Sequence, residues 1–203
     1  LVHVFLIMAF TLLCLRWGKA ALKTWVCLQV LLANLFVLKQ MALFGFNVTC
    51  SDAFAIGAIL GLNLLQEHYG KKAAQAATKQ SFYFMLFFAA ISKIYLLYEP
   101  ILEDLTHGAY HTILSPAPRL FFASLVAFLV VQRMDIKLFS WMKNRFHFWS
   151  FSTRTLFSLL ISQLLDTVLF SFLGLYGMVF SLTDIIFVSF LTKAVIIFSL
   201  APL

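Results

Sequence analysis

The feature that most constrains this chain is an almost uninterrupted apolar run over residues 155–201. A helix needs about 20 apolar residues to cross the roughly 30 Å hydrocarbon core of a bilayer, so this run is too long for one span. It is interrupted by Gly174-Leu175-Tyr176-Gly177 and by the polar pair Thr183-Asp184. The run therefore predicts two membrane-spanning helices, over 155–175 and 183–201.

Five further apolar stretches precede this run. Hydrophobic residues make up 63% of the 203-residue chain and charged residues 11%, against about 45–50% and 25% in soluble proteins. A soluble protein of this composition would expose large apolar patches to water. The sequence predicts an all-α integral membrane protein, a polytopic bundle of six to seven transmembrane helices in a single domain over 1–203. The predicted spans lie near 1–15, 24–46, 52–67, 81–98, 119–140, 155–175 and 183–201.

Basic residues alternate between the predicted loops. The loops after the first and third spans hold three Lys or Arg residues each, and segment 133–154, at the end of the fifth span and in the loop after it, holds five, whereas loops 47–51, 99–117 and 176–182 hold none. Basic residues are enriched in cytoplasmic loops of membrane proteins. The pattern predicts seven spans with the N-terminus outside and the C-terminus in the cytoplasm. The net charge of +7 is then a topology signal, and no nucleic-acid partner is expected.

Two opposite charges are predicted to lie near the middle of the bilayer. Asp166 lies about eleven residues into the sixth span and Lys193 about ten residues into the seventh, which at 1.5 Å per residue places both near the midplane. A charge at a helix centre costs about 2.5–3.5 kcal/mol on insertion scales, so pairing or function is the default interpretation. We expect the two side chains to meet and to form the polar floor of a site.

Other polar residues share helix faces. Asn63 and Glu67 are four residues apart in the third span, and Ser158, Ser162 and Asp166 continue one face of the sixth. Gln163 lies beside this second face. Amides and carboxylates lining one cavity would offer acceptors for N–H groups and donors for a carbonyl, as a planar heterocycle requires. Further candidates are Asn34 and Arg119, although Arg119 lies toward the outer end of its span, where snorkelling to headgroups is an alternative explanation.

At these residues the sequence resembles the queuosine precursor transporter family. The resemblance runs over nearly the whole chain, and no single motif carries it alone. The residues that carry it are Asn63-Leu-Leu-Gln-Glu67-His-Tyr69-Gly70-Lys71-Lys72, Pro118-Arg119, Ser162-Gln163-Leu-Leu-Asp166-Thr167 and Lys193. The first motif departs from the family pattern, because Asn63 stands where the family has an acidic residue.

The resemblance implies import of 7-deazaguanine bases, such as 7-cyano-7-deazaguanine, 7-aminomethyl-7-deazaguanine or queuine, across a bacterial cytoplasmic (inner) membrane for tRNA modification. A guanine-like edge presents N1–H and an exocyclic amine, which a buried carboxylate can accept together. Asp166 is the first candidate for this role and Glu67 the second, while Asn63 and Gln163 would meet the carbonyl and ring nitrogens. The expected substrate-binding set is Asn63, Glu67, Gln163, Asp166, Lys193, Arg119 and Asn34.

Other function classes remain open at this point. The alternative is a substrate-binding subunit of an energy-coupled importer for another heterocyclic vitamin, which would need an ATPase partner. An enzyme is disfavoured because neither HExxH nor GxSxG occurs, and His107-x3-His111 has no acidic partner at metalloprotease spacing. No metal site or cofactor is expected. The sequence leaves open whether the protein forms a homo-oligomer.

The first testable prediction concerns the topology. In a variant that lacks the native cysteines, a cysteine replacing Asp52 should react with an impermeant thiol reagent added to intact cells. A cysteine replacing Lys72 should react only after the cells are opened, because the basic loops are expected to be cytoplasmic. Labelling of the Lys72 replacement from outside would contradict the predicted orientation.

Overall fold

The structure is a computed structural model, and it describes residues 2–43, 45–49, 51–101, 103–145, 148 and 151–200. It confirms the predicted all-α integral membrane protein. The helices are α1 (Val2–Trp17), α2 (Lys19–Phe36), α3 (Asp52–Tyr69), α4 (Lys71–Tyr95), α5 (His107–Leu114), α6 (Ala117–Arg145), α7 (Phe151–Phe170) and α8 (Leu182–Leu200), with two short strands, β1 (Gln40–Leu43) and β2 (Phe46–Thr49).

Length and apolar composition identify candidate membrane spans directly. In the described part of the chain, three helical segments are long and apolar enough to cross a bilayer, and α1 is a shorter apolar helix. The three segments are Lys19–Phe36, His107–Val131 and Leu156–Leu175.

The chain divides into two compact units. Unit 1 comprises Leu1–Gln40 and Thr49–Phe121, and unit 2 comprises Met41–Val48 and Phe122–Leu203. Unit 1 therefore contains α1 to α5, while unit 2 contains most of the β-hairpin, most of α6, and α7 and α8. The expectation of a single domain over 1–203 stays a prediction.

Two helix pairs of unit 1 are joined by one glycine each. Gly18 separates α1 from α2 with φ +102°, and Gly70 separates α3 from α4 with φ +81°. These left-handed conformations favour glycine, because a Cβ would be strained there. The second turn replaces the longer loop expected after the third span. Alanine-rich residues 73–77 favour helix, and Ala73, Ala74 and Ala77 are buried.

The glycine-bearing face of α3 is the contact surface of unit 1. A Cβ added at Gly61 would lie 2.6 Å from Val26 Cγ2 of α2, and one added at Gly57 would lie 2.5 Å from Ile7 Cγ2 of α1. Small residues let helix backbones approach closely in membranes. Next to this contact, Leu65 belongs to a buried cluster with Leu22, Val26, Cys14, Ala74 and Ala77. Gly57 and Gly61 thus allow α3 to pack closely against α1 and α2.

The second predicted span, 24–46, differs from the structure. The helix ends at Phe36, and Gln40–Leu43 and Phe46–Thr49 pair as a hairpin. Gly45, at φ +85°, lies in the turn between the strands, a position where glycine accepts the required conformation. The apolar side chains of this segment are compatible with a longer helix, but Gly45 weakens helix formation.

The hairpin is fastened to the beginning of α8 within unit 2. The Asn47 backbone N–H donates to Asp184 Oδ2 at 3.0 Å, and the Phe46 and Phe187 rings lie 5.8 Å apart between centroids. These contacts lie at or beside loops 47–51 and 176–182, which are both expected outside. The hydrogen bond satisfies a strand amide with a charged acceptor, which is stronger than a neutral one.

The apolar run over 155–201 breaks where the sequence predicts. The α7 helix continues through a π-helical turn, Ser171–Leu175, and α8 begins at Leu182. Gly177 between them adopts φ +79°. The Asp184 backbone N–H donates to Ser181 Oγ at 3.3 Å, so Ser181 acts as the N-cap of α8. Two antiparallel apolar helices result.

The loop between α4 and α6 carries a short helix and an acidic turn. Asp104 Oδ1 accepts hydrogen bonds from the Thr106 hydroxyl at 2.7 Å and from the Thr106 backbone N–H at 2.8 Å. These bonds stabilise the carboxylate and hold the pKa of Asp104 below its usual value.

Gly61→Ala should destabilise unit 1, because its Cβ would meet the fully buried Val26 side chain. Overpacking of this kind costs about 1–3 kcal/mol. The control is Gly108→Ala in α5, where no heavy atom lies within 4 Å of the added Cβ. There the higher helix propensity of alanine should slightly stabilise the protein. The measurement is the melting temperature in detergent, and equal values for wild type and Gly61→Ala would contradict the tight contact.

Candidate functional site

The polar residues of α7 lie on its protein-covered side. Ser158, Ser162 and Thr167 are buried, and Gln163 and Asp166 are half-buried. Buried polar groups in hydrocarbon must find partners within the protein. The face predicted from four-residue spacing is therefore an internal one, within unit 2.

The predicted contact between Asp166 and Lys193 is present. The Lys193 ammonium Nζ lies 3.0 Å from Asp166 Oδ2 and also donates to Thr167 Oγ1 at 3.0 Å. The Thr167 hydroxyl in turn donates to the Gln163 carbonyl oxygen at 2.8 Å. One ammonium thus joins α8 to two consecutive residues of α7. The depth of this pair in the bilayer stays a prediction.

The two members of the pair differ in exposure. The Lys193 side chain is 14% exposed, whereas the Asp166 side chain is 34% exposed. Lys193 is the one protein partner recorded for this carboxylate among the described residues, and it contacts a single oxygen. An ionised carboxylate offers about four lone-pair sites. Asp166 therefore keeps acceptor capacity that a ligand can use, while Lys193 is largely enclosed.

A π-helical turn follows the ion pair directly. It covers Ser171–Leu175, and Ser171, Gly174 and Leu175 are buried. Such turns are rare and occur frequently at functional sites. Glycine in the apolar run predicted a break near this position, but the sequence carries no signal for its π geometry. The irregular turn supports the placement of a site on this part of α7.

Asn63 and Glu67 belong to α3 of unit 1. Both are exposed, whereas Gly57, Gly61 and Leu65 of the same helix are buried. Because α3 packs through the face that carries Gly57 and Gly61, the Asn63 amide and the Glu67 carboxylate stay exposed. Their predicted role in binding stays a prediction.

Asn34 and Arg119 also belong to unit 1. The Asn34 amide Nδ2 donates to the Val30 carbonyl oxygen at 2.9 Å and to Met85 Sδ at 3.5 Å, which links α2 to α4. Arg119 is exposed near the beginning of α6. The structure gives Asn34 a packing role, and binding by either residue stays a prediction.

One buried amide was missed by the sequence analysis. Gln29 of α2 is fully buried, and neither its Nε2 nor its Oε1 has a hydrogen-bond partner among the described residues. A single glutamine within an apolar helix leaves no distinct pattern. Gln29 stands out only in the structure, where its side chain lies opposite Gly57 of α3.

Metal-ligating side chains do not cluster in the described part of the chain. No group of three His, Cys, Asp or Glu residues is placed to hold an ion there. His107 and His111 lie on α5 with ring centroids 6.4 Å apart. The free thiols of Cys14 and Cys27 are buried.

Two comparisons with known proteins both relate this chain to membrane transporters. Residues 49–203 match the family model described as "Putative vitamin uptake transporter". A protein of Bacillus subtilis (strain 168) named "Probable queuosine precursor transporter" is 32% identical over 168 residues, covering 79% of this chain and 72% of that protein. No solved structure matches the chain.

The ion pair predicts unequal effects of its two single substitutions. Asp166→Asn removes the counter-charge of the enclosed Lys193 ammonium, so it should cost about 3–5 kcal/mol of stability. Lys193→Met should cost less, because the carboxylate of Asp166 is more exposed than the ammonium of Lys193 and is therefore less desolvated when it loses its partner. The double variant should cost less than the two single changes together.

Membrane abundance and the melting temperature in detergent measure these effects. Glu99→Gln, in the exposed loop after α4, serves as the control for loss of a carboxylate. Strictly additive effects, or equal stability of all three variants, would show that the pair contributes nothing to the packing of α7 and α8.

Proposed function

This chain belongs to the family described as "Putative vitamin uptake transporter", and from that premise we propose that it imports 7-deazaguanine bases. These bases are the precursors of queuosine in tRNA. The name of the Bacillus subtilis relative supports this substrate class. The chain is a membrane transporter, and the proposal adds the substrate, the direction of transport and the residues that recognise the base.

The observation that carries the proposal is the uncovered acceptor capacity of Asp166. Lys193 and Thr167 fix the carboxylate through contacts of 3.0 Å to one ammonium, so it is already oriented before a ligand arrives. A guanine-like base presents two adjacent N–H donors on one edge. A carboxylate accepts both with charge-assisted hydrogen bonds, which are about twice as strong as neutral ones.

Lys193 has two roles in this proposal. Its charge offsets that of Asp166, so the site is neutral overall and costs less to bury than an isolated carboxylate. Its ammonium also holds one carboxylate oxygen of Asp166 at 3.0 Å, which orients the acceptor group. A neutral base then finds acceptors without bringing an uncompensated charge into the membrane.

Further recognition comes from amides and from α3. Gln163 lies on α7 beside Asp166 and presents an amide that can meet a ring carbonyl or nitrogen. Glu67 and Asn63 offer a second uncovered carboxylate and amide on unit 1. Asn34 and Arg119 complete the proposed set. We assign transport, and not catalysis, to all of them.

The proposed location is a bacterial inner membrane, with the N-terminus outside and the C-terminus cytoplasmic. The contact of Asn47 with Asp184 supports this orientation, because it needs the hairpin and the beginning of α8 on one side of the membrane. Both segments lack basic residues, as outer segments do.

Uptake in cells tests the proposal. Cells that lack both queuosine precursor synthesis and their own transporter should accumulate a labelled 7-deazaguanine base when they express this chain. A protonophore applied at constant ATP should abolish uptake if a proton gradient drives it. It should leave uptake unchanged if the chain is a binding subunit of an ATPase-driven importer. No accumulation by well-expressed protein would overturn the proposal.

Two carboxylate variants assign the recognition roles. Glu67→Gln and Asp166→Asn should each reduce initial uptake at least about tenfold, since each replaces two acceptor oxygens with one, a loss of about 1.4 kcal/mol or more. Asn63→Asp restores the residue usual in the family and should be tolerated or alter substrate preference. Glu103→Gln in the exposed outer loop is the control. Rates are compared at equal membrane abundance, and normal uptake by Asp166→Asn would remove Asp166 from the site.

A further inference from the structure

Gln29 stands in an energetically unfavourable place. Its side chain is 0% exposed within α2, and both its amide nitrogen and its amide oxygen lack hydrogen-bond partners in the part of the chain that is described. Most buried polar atoms in proteins are paired, and each unpaired one requires an explanation. Burying a polar group without a hydrogen-bond partner lowers the stability of the folded protein. Leucine or methionine at this position would avoid that cost.

The neighbouring helix leaves room for this amide. A Cβ added at Gly57 would lie 3.0 Å from Gln29 Oε1 and 3.1 Å from its Cδ, so any larger residue would press on the amide. Four residues later, a Cβ at Gly61 would meet only hydrocarbon, the side chain of Val26. The two glycines therefore differ. Gly61 permits close apolar packing, whereas Gly57 makes space for a polar group.

The first helix covers this position. Ile7 Cγ2 is the atom closest to the added Cβ at Gly57. The buried residues of α1 are Ile7, Thr11 and Cys14, which lie along one face, while most of its other residues are exposed. The α1 helix thus packs over the Gln29 amide through these three side chains. One hydrogen bond, from Trp25 Nε1 of α2 to Thr11 Oγ1 of α1 at 2.8 Å, adds to this packing.

We propose that the Gln29 amide is a recognition group for the transported base, exposed when α1 moves away from Gly57. The inference rests on the proposed function and adds a residue to it. An amide offers a donor next to an acceptor. A 7-deazaguanine carries the complementary pair on the edge of its pyrrole N–H, where that donor adjoins a ring nitrogen acceptor. Both unpaired atoms of Gln29 then gain partners from one ligand edge.

This assignment explains why an unfavourable residue is kept. A site built to hydrogen-bond a ligand is left with unpaired polar groups when the ligand is absent, and it discriminates strongly against analogues that lack the matching group. Binding sites often reduce stability for this reason.

Gln29→Met separates recognition from packing. The side chains have similar volume, and methionine needs no hydrogen-bond partner. We expect the melting temperature in detergent to be unchanged or higher, and uptake of the labelled base to fall at least about tenfold. The increase in melting temperature that the base causes in wild type should be absent. Normal uptake together with a normal base-dependent increase would overturn the inference.

Ser92→Ala is the matched control. Ser92 of α4 is also buried within unit 1, and its Oγ also lacks a hydrogen-bond partner among the described residues. Its removal should preserve or raise the melting temperature and leave uptake at the wild-type rate. If both variants lose uptake equally, the loss follows from relief of buried polarity and not from recognition, and the inference is wrong.

Substrate analogues supply a readout that a packing role would not change. A 7-deazaguanine methylated on the pyrrole nitrogen lacks the donor that Gln29 accepts. It should compete at least about tenfold less well than the parent base for wild-type uptake, and equally well for residual uptake by Gln29→Met or Gln29→Leu. Equal discrimination by wild type and variant would contradict the inference even if one variant is poorly expressed.

The two proposals fail in different ways. Absence of uptake by wild-type protein overturns the substrate class itself. Normal uptake by wild type and by Gln29→Met, with Asp166→Asn inactive, leaves the substrate class intact and removes only Gln29.

Discussion

The contact between Lys193 and Asp166 governs how the C-terminal unit can be built. Either charge alone in hydrocarbon costs several kcal/mol, and the cost falls when an opposite charge lies at hydrogen-bond distance. The 3.0 Å separation of Nζ and Oδ2 therefore sets both the register and the facing surfaces of α7 and α8. Thr167, the buried serines and the π-helical turn at 171–175 are arranged around this pair. The proposed binding site and the packing of α7 against α8 thus depend on the same ion pair.

The ion pair was predictable because depth follows from counting. Helix rise is constant, so two charges about ten residues from a shared turn reach the same level of the bilayer. The hairpin at 40–49 was not predictable in this way, because its apolar residues suit a helix or a strand equally well. The sequence also predicts a longer loop after α3 than the single residue Gly70 that the structure has there. Lys71 and Lys72 indicate a water-exposed segment, but they occupy the first turn of α4.

Gln29 shows a more general limit of sequence interpretation. Summed hydropathy hardly changes when one amide replaces one leucine in a helix, so the residue blends into an apolar span. Its importance depends on what lies opposite, and only the structure brings Gly57 and Ile7 to that position. The family model begins at residue 49, after α2. The family description of residues 49–203 therefore does not extend to the helix that carries this amide.

The bond between Asn47 and Asp184 has a consequence for the order of assembly during synthesis. Its partners are 137 residues apart in sequence, whereas α1 with α2, and α3 with α4, need only one-residue turns to meet. At about 5–20 residues per second, a ribosome takes roughly 7–27 s to make the intervening segment. During that interval the hairpin has already been synthesised, but Asp184 at the beginning of α8, which accepts the Asn47 N–H, has not. The early helical pairs can thus form while the chain emerges, and the hairpin is completed only by one of the last helices to arrive.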